Sequence, residues 1–97
     1  MIEGPWFVTP AAIEDYMVLL KENIDDEQLF HQRTQDVRRL CRKALENPKN
    51  PARTIGEKEI WYVSDQGRRF ELVVSIKPNE KGHADQLIAI ADRDRRR

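Results

Sequence analysis

Cysteine, histidine and long apolar stretches are scarce in this 97-residue sequence. Its single cysteine, Cys41, has no partner in the chain for a disulfide, and its two histidines, His31 and His83, would need carboxylates to complete a zinc site. No stretch approaches the roughly 18 consecutive apolar residues of a membrane helix, and the N-terminus does not resemble a secretory signal. We therefore expect a cytoplasmic protein without disulfide, structural metal, cofactor or membrane contact.

A net charge is also lacking, because 17 Lys and Arg residues balance 17 Asp and Glu residues. This balance removes the global positive charge that many nucleic-acid binders carry. The charges are nonetheless segregated along the chain: residues 1–30 hold seven acidic side chains and one lysine, whereas residues 31–58 hold eight basic and three acidic ones. Such a pattern is typical of acidic and basic segments that pack beside each other or are simply solvated.

The helical signals lie in the first half of the chain. Thr9-Pro10 supplies an N-cap followed by proline at the first helical position, and an apolar spacing of i, i+3, i+4, i+7 predicts a helix over residues 10–22. Asp25 with Gln28 has the form of a capping box for a second helix, which should end at Asn47-Pro48. The inward stripes of the two helices contain Ile13, Tyr16, Met17, Leu20, Phe30, Val37, Leu40, Cys41, Ala44 and Leu45.

The strand signals lie mainly in the second half. A short β-prone run precedes the first helix at Trp6–Val8, and residues 60–63, 70–77 and 87–92 predict three further strands, the first two joined by a turn at residues 65–67. The fold class is therefore α+β, with two N-terminal helices packed on one face of a small antiparallel sheet in the order β-α-α-β-β-β. We expect one domain over residues 1–92 and a basic tail over residues 93–97.

This order of elements, and the opening Phe7-Val8-Thr9-Pro10-Ala11-Ala12 that runs into a helix, resembles the RelE/ParE superfamily of bacterial toxins. The resemblance covers nearly the whole chain and is one of architecture and apolar pattern. It implies a concave sheet face on which ribosome-dependent members cleave messenger RNA with basic residues and a tyrosine or histidine, while other members attack gyrase. The pair Arg68-Arg69 stands where such members often place arginines. An antitoxin partner is implied as well.

The C-terminal half offers the residue types of a metal-free ribonuclease, which needs a base, an acid and cations that stabilise the transition state. His83 can transfer protons near neutral pH, and Glu71 and Tyr62 have acid-base capacity. Arg68 and Arg69 are suited to contact phosphate. We predict Arg68, Arg69, His83 and Glu71 as the catalytic residues; the structural alternatives are an exposed loop histidine, a solvated sheet face and arginines that flank a turn.

Phosphate contacts are predicted on the second helix and at the end of the strand over residues 70–77. Arg38, Arg39, Arg42 and Lys43 fall opposite the apolar stripe and form a basic outer face, and Lys77 alternates with the core residues of the strand. A solvated helix surface is the ordinary alternative for such a face.

Three further residue types are expected to be structural. Arg33 lies near the apolar stripe and should find a carboxylate or border a cleft. Cys41 is expected to be a small core residue rather than a nucleophile, and Trp6 and Trp61 to be core anchors.

Three functions are compatible with the sequence. The first is a toxin-like endoribonuclease that acts on RNA or on the ribosome, and it is the hypothesis we adopt. The second is a non-catalytic protein-interaction module that keeps the toxin-like fold. The neutral charge favours it, and so does the lack of an aromatic residue after Ile90, where the resembled family often has one. The third is a small nucleic-acid-binding module that uses the basic helix and the arginine tail.

Overall fold

The computed structural model describes residues 6–76 and 85–93. Two helices and five strands follow one another as β1 (Phe7–Val8), α1 (Pro10–Leu19), α2 (Glu27–Glu46), β2 (Arg53–Ile55), β3 (Lys58–Asp65), β4 (Arg68–Ser75) and β5 (Gln86–Asp92). The predicted α+β class and order are confirmed, with β2 as a short additional strand. None of the helices in the described ranges is long and apolar enough to span a membrane.

Helix α1 begins at the predicted cap and is tied to the sheet there. The Thr9 side chain accepts a hydrogen bond from the Ala12 N–H and donates one of 2.8 Å to the Leu87 carbonyl. The helix ends at Leu19, three residues earlier than predicted, because Lys21 adopts a left-handed conformation (φ 62°). The N–H of Glu22 then donates to the carbonyl of Met17, which closes the helix in a Schellman motif.

Helix α2 begins one residue later than predicted. The carboxylate of Asp26, not that of Asp25, caps the helix by accepting a 3.1 Å hydrogen bond from the Leu29 N–H. The predicted capping box of Asp25 with Gln28 is therefore wrong. The helix ends at Glu46 as predicted, because the sequence continues into Asn47-Pro48 and the residue before a proline avoids the helical conformation.

The sheet is mixed rather than wholly antiparallel as predicted, and its strand order is β1-β5-β4-β3-β2. Strand β1 pairs with β5 in parallel, and the other neighbours are antiparallel. Strands β3 and β4 are joined by the predicted tight turn, in which Gln66 (φ 53°) and Gly67 (φ 83°) both adopt positive φ, as a type I′ hairpin turn requires. Strand β1 covers only the first residues of β5. Further along β5, the carboxylate of Asp15 on α1 accepts a 3.1 Å hydrogen bond from the Ile90 N–H.

The two helices cover one face of the sheet, and the core lies between them. Buried strand residues from β3, β4 and β5 form one cluster with buried helix residues: Val63, Phe70, Leu72, Val74, Leu87 and Ile90 with Ala12, Ile13, Tyr16, Met17, Val37, Leu40, Cys41 and Ala44. Three residues predicted for this core, Leu20, Phe30 and Ile76, are only partly buried at its border. Leu45 was expected on the inward stripe of α2, but it is exposed.

Cys41 and the two tryptophans occupy the predicted structural positions. The Cys41 thiol is buried, and this burial raises its pKa to about 12, so it is held as an unreactive thiol. Trp6 and Trp61 pack edge to face with ring centroids 4.8 Å apart and lie against the core cluster.

Candidate functional site

The face of the sheet opposite the helices, called the outer face below, carries every second residue of β3 and β4. Directly opposed residues of antiparallel strands point to the same side, so the register assigns the residues to faces. Val63 lies opposite Phe70 in the core, whereas Tyr62 lies opposite Glu71 and Ser64 opposite Arg69 on the outer face. Tyr62 and Glu71 are partly exposed, and Arg69 is exposed.

Arg68 and Arg69 lie on opposite faces of the sheet. The Arg68 guanidinium, on the helix side, donates hydrogen bonds to Asp92 Oδ2 (3.2 Å) and to the Leu19 carbonyl (3.4 Å), and it lies 5.4 Å from the centroid of the Phe70 ring. The prediction that both arginines act at one catalytic site is therefore wrong for Arg68, which faces the helices. The reason is the alternation of side chains along β4.

Arg93 is placed on the outer face by Tyr62. Its guanidinium carbon lies 3.6 Å from the centroid of the Tyr62 ring, in a cation–π contact. Arg93 was expected in the basic tail outside the domain, and its contact with Tyr62 corrects that expectation for Arg93. A guanidinium stacked on a ring uses its flat face, so its N–H groups at the edge stay available for an anion.

The loop between α2 and β2 forms a cavity beside this pair. The cavity has a volume of about 190 Å³, and its lining includes Asn47, Lys49, Asn50, Tyr62, Ser64 and Arg93. Two cations are thus present, while none of the described residues that line it carries a carboxylate. The Asn50 side chain fixes the loop against β3 by hydrogen bonds with the Tyr62 backbone.

The basic residues of α2 divide into two groups. Arg39 Nη2 and Lys43 Nζ contact the carboxylate of Asp65 on β3 at 2.8 and 3.0 Å, so the prediction that they lie with the others on an outer basic face is wrong. These two side chains stabilise the packing of α2 on the sheet. Arg38 and Arg42, by contrast, form no ion pair within residues 6–76 and 85–93, and their predicted contact with RNA stays a prediction.

Asp65 is the only charged residue of the described ranges that is buried, at 8% exposure. Burial alone raises the pKa of its carboxyl, but hydrogen bonds from Arg39 and Lys43 outweigh that effect and hold the pKa below its usual value. Asp65 is therefore a charged structural anchor between β3 and α2.

Arg33 finds carboxylates, as predicted. It makes two hydrogen bonds to Glu22, of 2.8 and 2.6 Å, and one of 3.0 Å to Asp36. The hydrogen bond to Glu22 is the main cause that raises the pKa of Arg33. Asp36 also accepts from Arg39, so a chain of ion pairs runs from the end of α1 to Asp65.

Two predicted site residues, Lys77 and His83, lie outside the described residues. Within the described residues, no group of three or more His, Cys, Asp or Glu side chains is arranged to hold a metal ion. Arg93 and Lys49 were not predicted for the site, because their placement depends on the tertiary contacts of a tail and a loop. The alternation around Phe70 did contain the signal that puts Arg69 and Glu71 on one face and Arg68 on the other.

Comparison with known proteins gives no match to a family model, to a curated protein or to a solved structure. The resemblance to the RelE/ParE superfamily stays a prediction that rests on the order of the elements. Functional inference therefore depends on the outer face and the cavity beside it.

Proposed function

We propose that the protein is a cytoplasmic toxin-like endoribonuclease of a toxin–antitoxin type system, which binds RNA on the outer face and cleaves it by acid-base chemistry without a bound metal. One observation carries the proposal: Glu71 lies directly across the strand ladder from Tyr62, and the guanidinium of Arg93 stacks on that tyrosine. Arg69 lies on the same face, two ladder positions further along. A carboxylate, a phenol and two cations are the groups that RNA cleavage needs.

In this mechanism Glu71 accepts the proton of the ribose 2′-hydroxyl. The 2′-oxygen then attacks the adjacent phosphorus, the bond from phosphorus to the 5′-oxygen breaks, and that oxygen takes up a proton from the Tyr62 hydroxyl. The products are a 2′,3′-cyclic phosphate and a 5′-hydroxyl. Arg69 and Arg93 stabilise the negative charge that develops on the phosphate oxygens.

Arg68 has no part in this chemistry, because it lies on the helix side of the sheet, bonded to Asp92. The buried acid Asp65 is excluded from it for a similar reason, since Arg39 and Lys43 already bind its carboxylate. Arg38 and Arg42 are proposed to add contacts to the RNA backbone that carry no sequence preference.

The experiment compares wild-type protein with Glu71→Gln on a labelled single-stranded RNA under two conditions: the RNA alone, with and without EDTA, and the RNA with ribosomes in magnesium buffer. We expect the wild type to produce cyclic-phosphate ends and the variant to lose about a hundredfold or more in rate, while it still binds the RNA. Glu57→Gln, which removes an exposed carboxylate in the turn between β2 and β3, is the matched control and should cleave normally.

Two results contradict the proposal: no cleavage by the wild type under either condition, or full cleavage by Glu71→Gln. Loss of cleavage of the ribosome-free RNA on addition of EDTA would contradict the metal-free mechanism. Wild-type protein that binds RNA without cutting it is the result expected of a nucleic-acid-binding module. Protein that does neither and leaves growth unaffected on induced expression, but binds one specific protein, is the result expected of an interaction module.

A further inference from the structure

The cavity between the α2–β2 loop and β3 has a composition that differs from that of the surrounding surface. Lys49 and Arg93 contribute two positive charges to its lining, and neither forms an ion pair within the described parts of the chain. No acidic residue is present in the described lining to neutralise them. An anion that enters the cavity is therefore attracted by both cations and repelled by no carboxylate that lines it.

Some polar groups of the lining already form hydrogen bonds within the protein, and the others can donate hydrogen bonds to an anion. The Asn50 amide is used in hydrogen bonds with the Tyr62 backbone. The side-chain oxygen of Asn47 accepts the Lys49 N–H at 3.0 Å, which leaves the amide NH2 of Asn47 as a donor. Ser64 adds a hydroxyl. Hydrogen-bond donors beside two cations are the usual surroundings of a phosphate in a protein.

The guanidinium of Arg93 and the loop that carries Lys49 are held in place before any ligand arrives. Arg93 is stacked on Tyr62 at 3.6 Å, so little side-chain freedom is lost when its N–H groups bind. The loop that carries Lys49 is fixed by Asn50, which bonds to the Ala44 carbonyl at the end of α2 and to the Tyr62 carbonyl. Binding in a preorganised site costs less conformational entropy.

We infer that this cavity is a binding site for the phosphate of a nucleotide, with room for part of the attached sugar. Its volume of about 190 Å³ exceeds what a single phosphate group fills, since a water molecule occupies about 30 Å³ in the liquid. The assignment rests on the proposed function in one respect, namely that the phosphate belongs to the RNA nucleotide next to the one that is cleaved. Tyr62 and Arg93 connect the cavity with the outer face.

The test is isothermal titration calorimetry of the full-length protein at low ionic strength, with adenosine monophosphate, adenosine and inorganic phosphate titrated separately. The monophosphate is expected to bind more tightly than either of the other two, because it alone has both a phosphate for the two cations and a sugar for the remaining volume of the cavity. Lys49→Ala should weaken its binding about tenfold, as expected for the loss of one hydrogen bond to a charged group. Lys58→Ala, an exposed lysine four residues from Tyr62 on β3, is the control and should bind like wild type.

Equal binding of inorganic phosphate and the monophosphate would overturn the nucleotide assignment, as would equal binding of adenosine and the monophosphate. Wild-type affinity in Lys49→Ala, or in the charge-reversed Lys49→Glu, would overturn the site itself. Lys49 is exposed, so both variants should fold. Failure here is separable from failure of the nuclease proposal, because Glu71→Gln should still bind the monophosphate even though it does not cleave RNA.

Discussion

The Asn50 side chain pairs with the backbone of Tyr62 as a residue of a neighbouring strand would. Its Oδ1 accepts the Tyr62 N–H at 3.0 Å, and its Nδ2 donates to the Tyr62 carbonyl at 2.8 Å. Strand β2 pairs only with residues 58–60 of β3. Beyond them, the Asn50 side chain supplies the hydrogen bonds that the backbone of a neighbouring strand would otherwise make. The same Nδ2 donates to the Ala44 carbonyl at 2.9 Å, and one amide thus joins the end of α2 to β3.

Replacement of Asn50 by alanine should destabilise the protein. Three hydrogen bonds to backbone groups are lost together, and we expect the free energy of unfolding to fall by about 1 to 3 kcal/mol. Urea denaturation followed by circular dichroism measures this change. Asn23→Ala removes a single exposed hydrogen bond, to the Asp25 N–H, and serves as the control. An equal loss in both variants would show that the bridge to Tyr62 contributes nothing.

Replacement of Leu72 by alanine tests the strand register. Leu72 is fully buried and lies opposite Trp61 on one side and Ile90 on the other. The truncation should lower the free energy of unfolding by about 2 to 5 kcal/mol, because a buried cavity remains. Val18→Ala on α1, where the side chain is 60% exposed, should change it little. A neutral Leu72→Ala would contradict the register.

The elements with a clear period were predictable from the sequence. The alternation around Leu72 and the i, i+3, i+4, i+7 stripe around Met17 arise because one face of the strand and of the helix is buried. Burial repeats at each pleat or turn, so it leaves a periodic pattern in the sequence. Strand β2 was missed because its three residues are all exposed, so they show no alternation. The parallel pairing of Phe7–Val8 with β5 joins segments nearly eighty residues apart, which no local pattern encodes.

The candidate site was predicted less completely than the fold. Glu71 was predicted as a catalytic residue, which stays a prediction, and its alternation with Phe70 and Leu72 did indicate the outer face on which it lies. Tyr62 was noted for its acid-base capacity. The partners of Arg39 and Lys43 were not predictable, because Asp65 reaches them only through the packing of α2 on β3. Arg93 was missed because its anchor is an aromatic ring thirty-one residues earlier in the chain, not an apolar residue of its own segment.

The stability of the protein should depend on pH through Asp65. The pKa of this carboxyl is lower in the folded protein than its ordinary value of about 3.9, because Arg39 and Lys43 bind the charged form. A group with a depressed pKa stabilises the fold above its unfolded pKa and ceases to do so as the pH falls through its folded pKa. The contribution is therefore present at neutral pH and lost in the acid range.

Asp65→Asn isolates this contribution. At pH 7 the variant should unfold with a free energy about 1 to 3 kcal/mol below that of the wild type, and this difference should shrink as the pH is lowered past about 4 towards 2. Urea titrations at several pH values measure it. Asp25→Asn changes an exposed carboxylate and should show a small difference throughout. A difference for Asp65→Asn that stays constant with pH would contradict the role of its charge.

The last prediction separates the two adjacent arginines of β4. Arg68→Ala removes hydrogen bonds to Asp92 and to the Leu19 carbonyl, so it should lower the free energy of unfolding by about 1 to 2 kcal/mol. It should leave RNA cleavage by the folded fraction unchanged. Arg69→Ala should do the opposite: a loss of about a hundredfold in cleavage rate, as for other charge-stabilising donors, with a smaller effect on stability because the residue is exposed.

The comparison is informative because the two changes are chemically identical and only one position apart. Unfolding curves and cleavage rates are measured on both variants, with rates corrected for the folded fraction at the assay temperature. If cleavage falls equally in the two, the face assignment does not govern activity, and the proposed use of the outer face is wrong. If Arg69→Ala cleaves like wild type while Glu71→Gln does not, the outer face is retained and the transition-state charge is assigned to Arg93 alone.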